Sequence, residues 1–331
     1  MTIDLIPGLG IIKAEQQHDL MDLNVGGDGI FQVGIDGVKR IVTPRDRKAE
    51  FIIFSNKTLV YVKSAMGYPA IYPLHAAKFE APAEVVLMDL DGTSVHSEAF
   101  WMWTIEQTVA KLLHDDCFKL EKVDEPHVAG HSVSEHLQYC IKKYAQKNTV
   151  EEAREIYFKI VREEMQEIVE GRGHPESFQP APGLKDFLLE LKARKIIIGL
   201  VTSGLYEKAW PEIVAAFRTL NMGNPLEFYD AIITAGQAFG RESTGTLGEL
   251  SPKPHPWLYA ETARVGLGID PARKHKVVGI EDSGAGVMSV RLAGFACIGI
   301  EGGNINASGY RPLLNNMCTD FNQILKIITG E

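Results

Sequence analysis

Apolar and polar positions alternate with two different periods along this chain, and the change of period divides it. Over residues 30–35, 38–43, 50–54 and 59–63, short β-like runs are separated by Gly26-Gly27-Asp28-Gly29, Asp36-Gly37 and Ser55-Asn56-Lys57. Asp-Gly between two such runs predicts a hairpin, so residues 1–80 read as a small antiparallel β-module. Helical spacing follows. Residues 98–115 carry Phe100, Trp101, Ile105, Val109, Leu112 and Leu113 near helical spacing. Ser132-Val133-Ser134-Glu135 and Thr149-Val150-Glu151-Glu152 each read as a capping box opening a further helix. The first of these helices places Leu137, Ile141 and Tyr144 together, and the second ends near Gly171 and Gly173.

From Pro180 the pattern becomes regular. Helices are expected over 184–193, 206–220, 257–265, 285–293 and 320–328, with Pro211 marking a break or late start in the second and Thr319 capping the last. Apolar strands are expected over 195–201, 231–234, 276–280 and 296–300, and an earlier one runs from Val85 to Asp89. Strands alternating with helices predict an α/β fold with a doubly wound parallel sheet. The domain reading is a β-rich N-terminal module (1–80), an α/β core (81–96 and 180–331) and an inserted helical block (97–179).

Composition narrows the function classes. At 331 residues the chain has room for two or three domains. A net charge of −9 and the lack of a long Lys/Arg cluster argue against a nucleic-acid surface. No apolar stretch is long enough for a membrane span, and the first residues lack a signal-peptide pattern. Cys117, Cys140, Cys297 and Cys318 show no CxxC spacing, which suits a reduced, cytoplasmic chain. Gly8-Leu9-Gly10 lacks the third glycine and the context of a dinucleotide loop.

Candidate chemistry gathers where strands end. Asp89 and Asp91 close an apolar strand, and residues i and i+2 of an extended chain face the same way. In open α/β sheets that end is the ligand-binding end. The bland alternative is an Asp-rich turn. Thr202-Ser203-Gly204 follows the strand 195–201 as a phosphate-binding corner or a plain helix cap. Lys253, between Pro252 and Pro254, is a stiffly held cation or a surface lysine. Glu281-Asp282-Ser283 offers hard-cation ligands or caps a helix.

Taken in order, Asp89-Leu90-Asp91-Gly92-Thr93, Thr202-Ser203-Gly204, Lys253-Pro254 and Glu281-Asp282-Ser283-Gly284 resemble the four motifs of the haloacid dehalogenase superfamily over about residues 85–328. Pro182-Gly183-Leu184 is similar to the subgroup holding β-phosphoglucomutase and phosphoglycolate-type phosphatases. The resemblance implies a Rossmann-like core with a helical cap. It also implies Mg²⁺ and a small phosphorylated metabolite as substrate. Asp89 would be the nucleophile and Asp91 the general acid/base. Thr202 and Lys253 would hold phosphoryl oxygens, with Thr93, Ser203 and Gly204 beside the substrate. Asp282 would bind the metal with Asp89 and the Asp91 carbonyl, Glu281 joining directly or through water. Residues 129–135 resemble the cap's specificity loop, so His131 and Ser132 would touch substrate, the alternative for His131 being a capping-turn residue in solvent.

Departures from that pattern are informative. Asp91 argues against carbon–halogen and phosphonate cleavage. Trp101 stands where mutases of the subgroup carry a histidine, which disfavours a sugar phosphomutase. A non-catalytic scaffold is the alternative from another class. The loop 236–251 reads as a site-edge flap or a surface insertion. The N-terminal module packs on the core, makes a homodimer contact, or serves regulation or substrate.

Overall fold

The computed structural model describes residues 4–63, 70–124, 133–173, 178–236 and 250–331. By compactness the chain forms two units. One comprises Met1–Ser94, Ala181–Tyr206 and Asn224–Glu331; the other comprises Val95–Pro180 and Glu207–Gly223.

The first unit opens with a hairpin, β1 (Asp4–Ile6) against β2 (Gly10–Ile12). A five-stranded antiparallel meander follows: β3 (Leu20–Leu23), β4 (Arg40–Pro44), β5 (Ala49–Ile53), β6 (Thr58–Val62) and β7 (Ala70–Leu74). The turn at Asp36-Gly37 forms, both residues taking positive φ (48° and 83°). Residues 30–35, however, are not a strand. Gly29 and Gly34 turn the chain at positive φ, Ile30 and Ile35 are exposed, and one isolated bridge joins Val25 to Gln32. β7 accommodates Pro73 because it is an edge strand.

β8 (Val85–Asp89) is buried along its whole length. The chain then enters the second unit, whose short ladder pairs β9 (Val95–His96) with β10 (Gln179–Pro180). Returning, it lays down β11 (Ile197–Val201), β12 (Ala231–Ile233), β13 (Val277–Glu281), β14 (Ala296–Ile300) and β15 (Asn316–Cys318). The sheet is parallel, in the order β12-β11-β8-β13-β14-β15. β8 is therefore the strand from which the order runs out both ways. Its register sets Asp89 beside Val201 and Met88 beside Ile280, which brings residues 89, 202 and 281 to one edge of the sheet.

The meander is not a separate layer. Phe51, Val60, Val62 and Leu74 share one apolar core with Val287, Met288 and Val290 of the helix Gly284–Leu292 and with Val85, Leu87 and Val277 of the parallel sheet. Arg291 of that helix is buried and donates to the carbonyls of Leu313, Gly8 and His75.

In the second unit, helices Glu98–Leu113, Val133–Tyr144 and Val150–Val169 close on Ile105, Val109, Leu137, Ile141 and Tyr157. The Thr149 capping box forms in both directions. The expected box at residues 132–135 begins outside the described residues. Helix Tyr206–Leu220 continues through Pro211, giving up one backbone bond. The last helix, Phe321–Thr329, is capped by Asp320, whose carboxylate accepts from Gln323 N–H, and not by Thr319 as expected. Among the described residues no helix is long and apolar enough to cross a membrane.

Candidate active site

Asp89 is the last residue of β8 and is buried. The chain stays pinned beyond it, because Ser94 Oγ donates to the Asp89 carbonyl at 2.6 Å. Between them Gly92 turns at φ +82°, and a Cβ there would strike the Asp282 carboxylate. Asp91 is half-buried in this turn. Thr93 is buried, its hydroxyl 3.4 Å from Asp282 Oδ1.

Lys253 reaches the same place from the other side of β8. Its Nζ contacts Asp89 Oδ1 and lies 2.6 Å from Glu281 Oε1. The ammonium sits 5.2 Å over the ring of Tyr259, whose hydroxyl donates to Glu281 Oε1 at 2.5 Å. Burial alone would lower the lysine's pKa, but the Asp89 and Glu281 carboxylates overcome it and hold the group charged.

Asp89, Glu281 and Asp282 bring carboxylate oxygens within 4.8 Å of one another. Burial, then the neighbouring Glu281 and Asp282, push Asp89 well above the ordinary carboxylate range, with Lys253 opposing. Asp282 is raised to about 7, chiefly by burial and then by Glu281. Three crowded acids against one ammonium leave an excess of negative charge and oxygen donors. A hard divalent cation fits that set.

Glycines form the walls. A Cβ on Gly303 would strike Asp282, and one on Gly286 would strike Glu281. Ser283 Oγ donates to Glu281 Oε2 at 3.1 Å and accepts from Gly286 N–H, capping the helix Gly284–Leu292. The capping and acidic readings of 281–283 are thus met by different residues: Ser283 caps, Asp282 faces the other acids.

Thr202 is buried at the end of β11, its hydroxyl accepting from Gly204 N–H at 2.9 Å. Ser203 Oγ accepts from Lys253 N–H at 3.1 Å and ties the two turns together. The loop after β12 is anchored nearby, through Ala235 N–H to Gly204 O and Leu250 N–H to Ala235 O. Its span 237–249 lies outside the described residues, as do His131 and Ser132. Trp101 belongs to the second unit, where its indole donates to Ser97 Oγ and the Lys208 ammonium covers its ring. A cavity of about 600 Å³ lies at the opposite, amino-terminal edge of the parallel sheet, lined by Val85, Ile197 and Arg273 among others. It contains none of these groups.

Sequence reasoning did not single out Tyr259, Gly303 or Asn304, whose Oδ1 accepts from Gly284 N–H. Tyr259 carries a faint signal, an aromatic six residues past Lys253. Gly303 and Asn304 carry none, because the chain brings them back to Asp282 only after β14.

Comparison with known proteins points the same way. The family model for haloacid dehalogenase-like hydrolases matches residues 86–300. No match is found among curated proteins. Similar solved structures include one named "putative beta-phosphoglucomutase" from Thermotoga maritima, with 18% identity, 75% of this chain and 99% of that one covered, and a TM-score of 0.52. Another is named "predicted phosphoglycolate phosphatase" from Haemophilus somnus 129PT, with 18% identity, 75% and 98% covered, and a TM-score of 0.54. At these identities the likeness is one of fold.

Proposed function

This chain belongs to the haloacid dehalogenase-like hydrolases, and from that premise we propose that it is a Mg²⁺-dependent phosphatase acting on a small phosphorylated metabolite in the cytoplasm. The observation that carries the reading is the meeting of Asp89, Lys253, Glu281 and Asp282 at one edge of the sheet.

In this reading an Asp89 oxygen attacks phosphorus and the bond to the leaving oxygen breaks. Asp91 gives its proton to the departing alkoxide. Asp91 then takes a proton from water as that water attacks the aspartyl-phosphate, releasing inorganic phosphate and restoring Asp89. Lys253 supplies fixed positive charge to a phosphoryl oxygen. Its ion pair with Asp89 keeps it aligned until a phosphate arrives. The Thr202 hydroxyl, oriented by Gly204 N–H, donates to a second oxygen. Glu281, held by Lys253, Tyr259 and Ser283, serves mainly to orient the lysine. Asp89 and Asp282 would hold the Mg²⁺, which neutralises phosphate charge when bound.

A screen over sugar phosphates, phosphoglycolate, nucleotides and pyrophosphate, with and without Mg²⁺, tests the proposal. Metal-dependent phosphate release is expected, falling at least 1,000-fold in Asp89→Asn, as loss of a covalent nucleophile does. Release that survives the substitution sinks the nucleophile assignment. Turnover only with a sugar bisphosphate present would point to a mutase instead.

A further inference from the structure

The family match begins at residue 86, yet two side-chain links run from the N-terminal strands to the two charged sides of the site. The first starts on β7. The Tyr72 hydroxyl meets His255 Nδ1 at 2.8 Å, edge-on to its ring. His255 is buried two residues after Lys253, and its carbonyl accepts from Ser289 Oγ at 2.6 Å. Its Nε2 is buried without a hydrogen-bond partner among the described residues. The Tyr72 hydroxyl is therefore the ring's hydrogen-bond partner among the described residues, and it joins Ser203 and Ser289 in holding the turn that carries the lysine.

The second link starts at Asp19, fully buried just before β3. Its carboxylate receives Arg45 Nη2 at 2.8 Å and Arg311 Nε at 2.7 Å. Arg45 also donates to the Asn306 carbonyl, and Arg311 to the Glu15 carbonyl. Together they grip the segment 303–311. That segment in turn holds the acidic turn: Ile305 N–H donates to the Asp282 carbonyl at 3.3 Å, and Asn304 Oδ1 accepts from Gly284 N–H at 2.9 Å. Gly303 abuts the Asp282 carboxylate, and Gly309 abuts the Asp19 carbonyl.

We propose that the N-terminal β-module positions the two halves of the site separately: Tyr72 sets Lys253 through His255, and Asp19 sets Asp282 through Arg45, Arg311 and the segment 303–311. Tyr72 and Asp19 are positioning residues, since neither touches the reacting groups. The proposal rests on the reading of Lys253 as the phosphate ligand and Asp282 as the metal ligand.

Separability is what distinguishes positioning from general stability. Tyr72→Phe keeps the ring and removes the hydroxyl. Asp19→Asn keeps the shape but sets an amide against one arginine. Glu50→Gln is the control. Glu50 is buried in the same module, where it binds Lys63 and Gly27 N–H, and it touches neither link. Titration calorimetry with Mg²⁺ alone, and with inorganic phosphate in the presence of Mg²⁺, reads both halves without turnover.

Asp19→Asn is expected to weaken Mg²⁺ binding about 10-fold, as loss of a residue supporting a metal ligand does. Tyr72→Phe is expected to leave Mg²⁺ binding unchanged and to weaken phosphate binding about 5-fold, the size of one hydrogen bond. Glu50→Gln should lower the melting temperature and move neither constant. The proposal is overturned if both variants bind like wild type, or if Glu50→Gln shifts the constants as much. Should the wild type hydrolyse no phosphate ester while Asp19→Asn still weakens Mg²⁺, the positioning stands and the phosphatase reading falls.

Discussion

At Asp282 a single carboxyl would tie protonation to the proposed metal binding. With its pKa raised to about 7 from an ordinary 3.8, it holds a proton in the metal-free protein at mildly acidic pH. A raised folded-state pKa contributes stability that is present below the unfolded value and lost as pH rises through the folded one. The metal-free protein should therefore lose stability between about pH 4 and 7, and Mg²⁺ should restore it by taking the proton's place. Melting curves at pH 5, 6 and 8, with and without Mg²⁺, are expected to show a stabilisation by the metal that grows with pH. Equal stabilisation at all three would mean that the carboxylates are not the ligands. Legibility at this scale follows chain geometry. Asp89, Lys253 and Asp282 were readable because each closes a strand or a rigid turn, so a local pattern betrays a shared edge. Tyr259 was not, because its hydroxyl bond to Glu281 depends on a helix packing angle that no spacing encodes.

Among elements, the helical unit contains a buried charge held by a network of donors. Asp124 is buried and accepts from Tyr139, Tyr144, Lys143 and the Glu121 N–H. Burial alone would raise its pKa, but these donors together hold it well below the ordinary 3.8. That contribution is fully present above the ordinary value and disappears as pH falls through and below it. Asp124→Asn is expected to lower stability by about 2 kcal/mol, since the lysine loses its buried partner, and to flatten the acid side of the unfolding profile. An unchanged acid limb would mean that the network adds nothing. The same scale shows where pattern reading stops. Strand 296–300 and helix 184–193 coincide with the elements observed, because period and punctuation agree there. β3 and β15 were not anticipated, since three or four residues hold too little pattern to be told from a loop. Residues 30–35 have strand-like apolar content, but Gly29 and Gly34 turn the chain there and no strand forms.

Across the whole molecule, the N-terminal meander and the parallel sheet share one apolar core. Composition could not reveal this. Period-2 alternation marks a buried face but not what buries it, so the sequence left the module's role open. Phe51, fully buried on β5, tests the continuity. Phe51→Ala is expected to cost about 3–5 kcal/mol, with hydrogen-exchange protection falling in β8 and β13 as well as in β5. Loss confined to β3–β7 would show the meander to be an independent folding unit.

A covalent intermediate on Asp89 is the direct mark of the proposed phosphatase chemistry. Acid quenching during the first turnover with a hydrolysed substrate and Mg²⁺, borohydride reduction and peptide mass spectrometry would locate any acyl phosphate. Conversion of Asp89 to homoserine, absent in Asp89→Asn, is the expected result. Modification at another carboxylate, or steady phosphate release with Asp89 never modified, would contradict it.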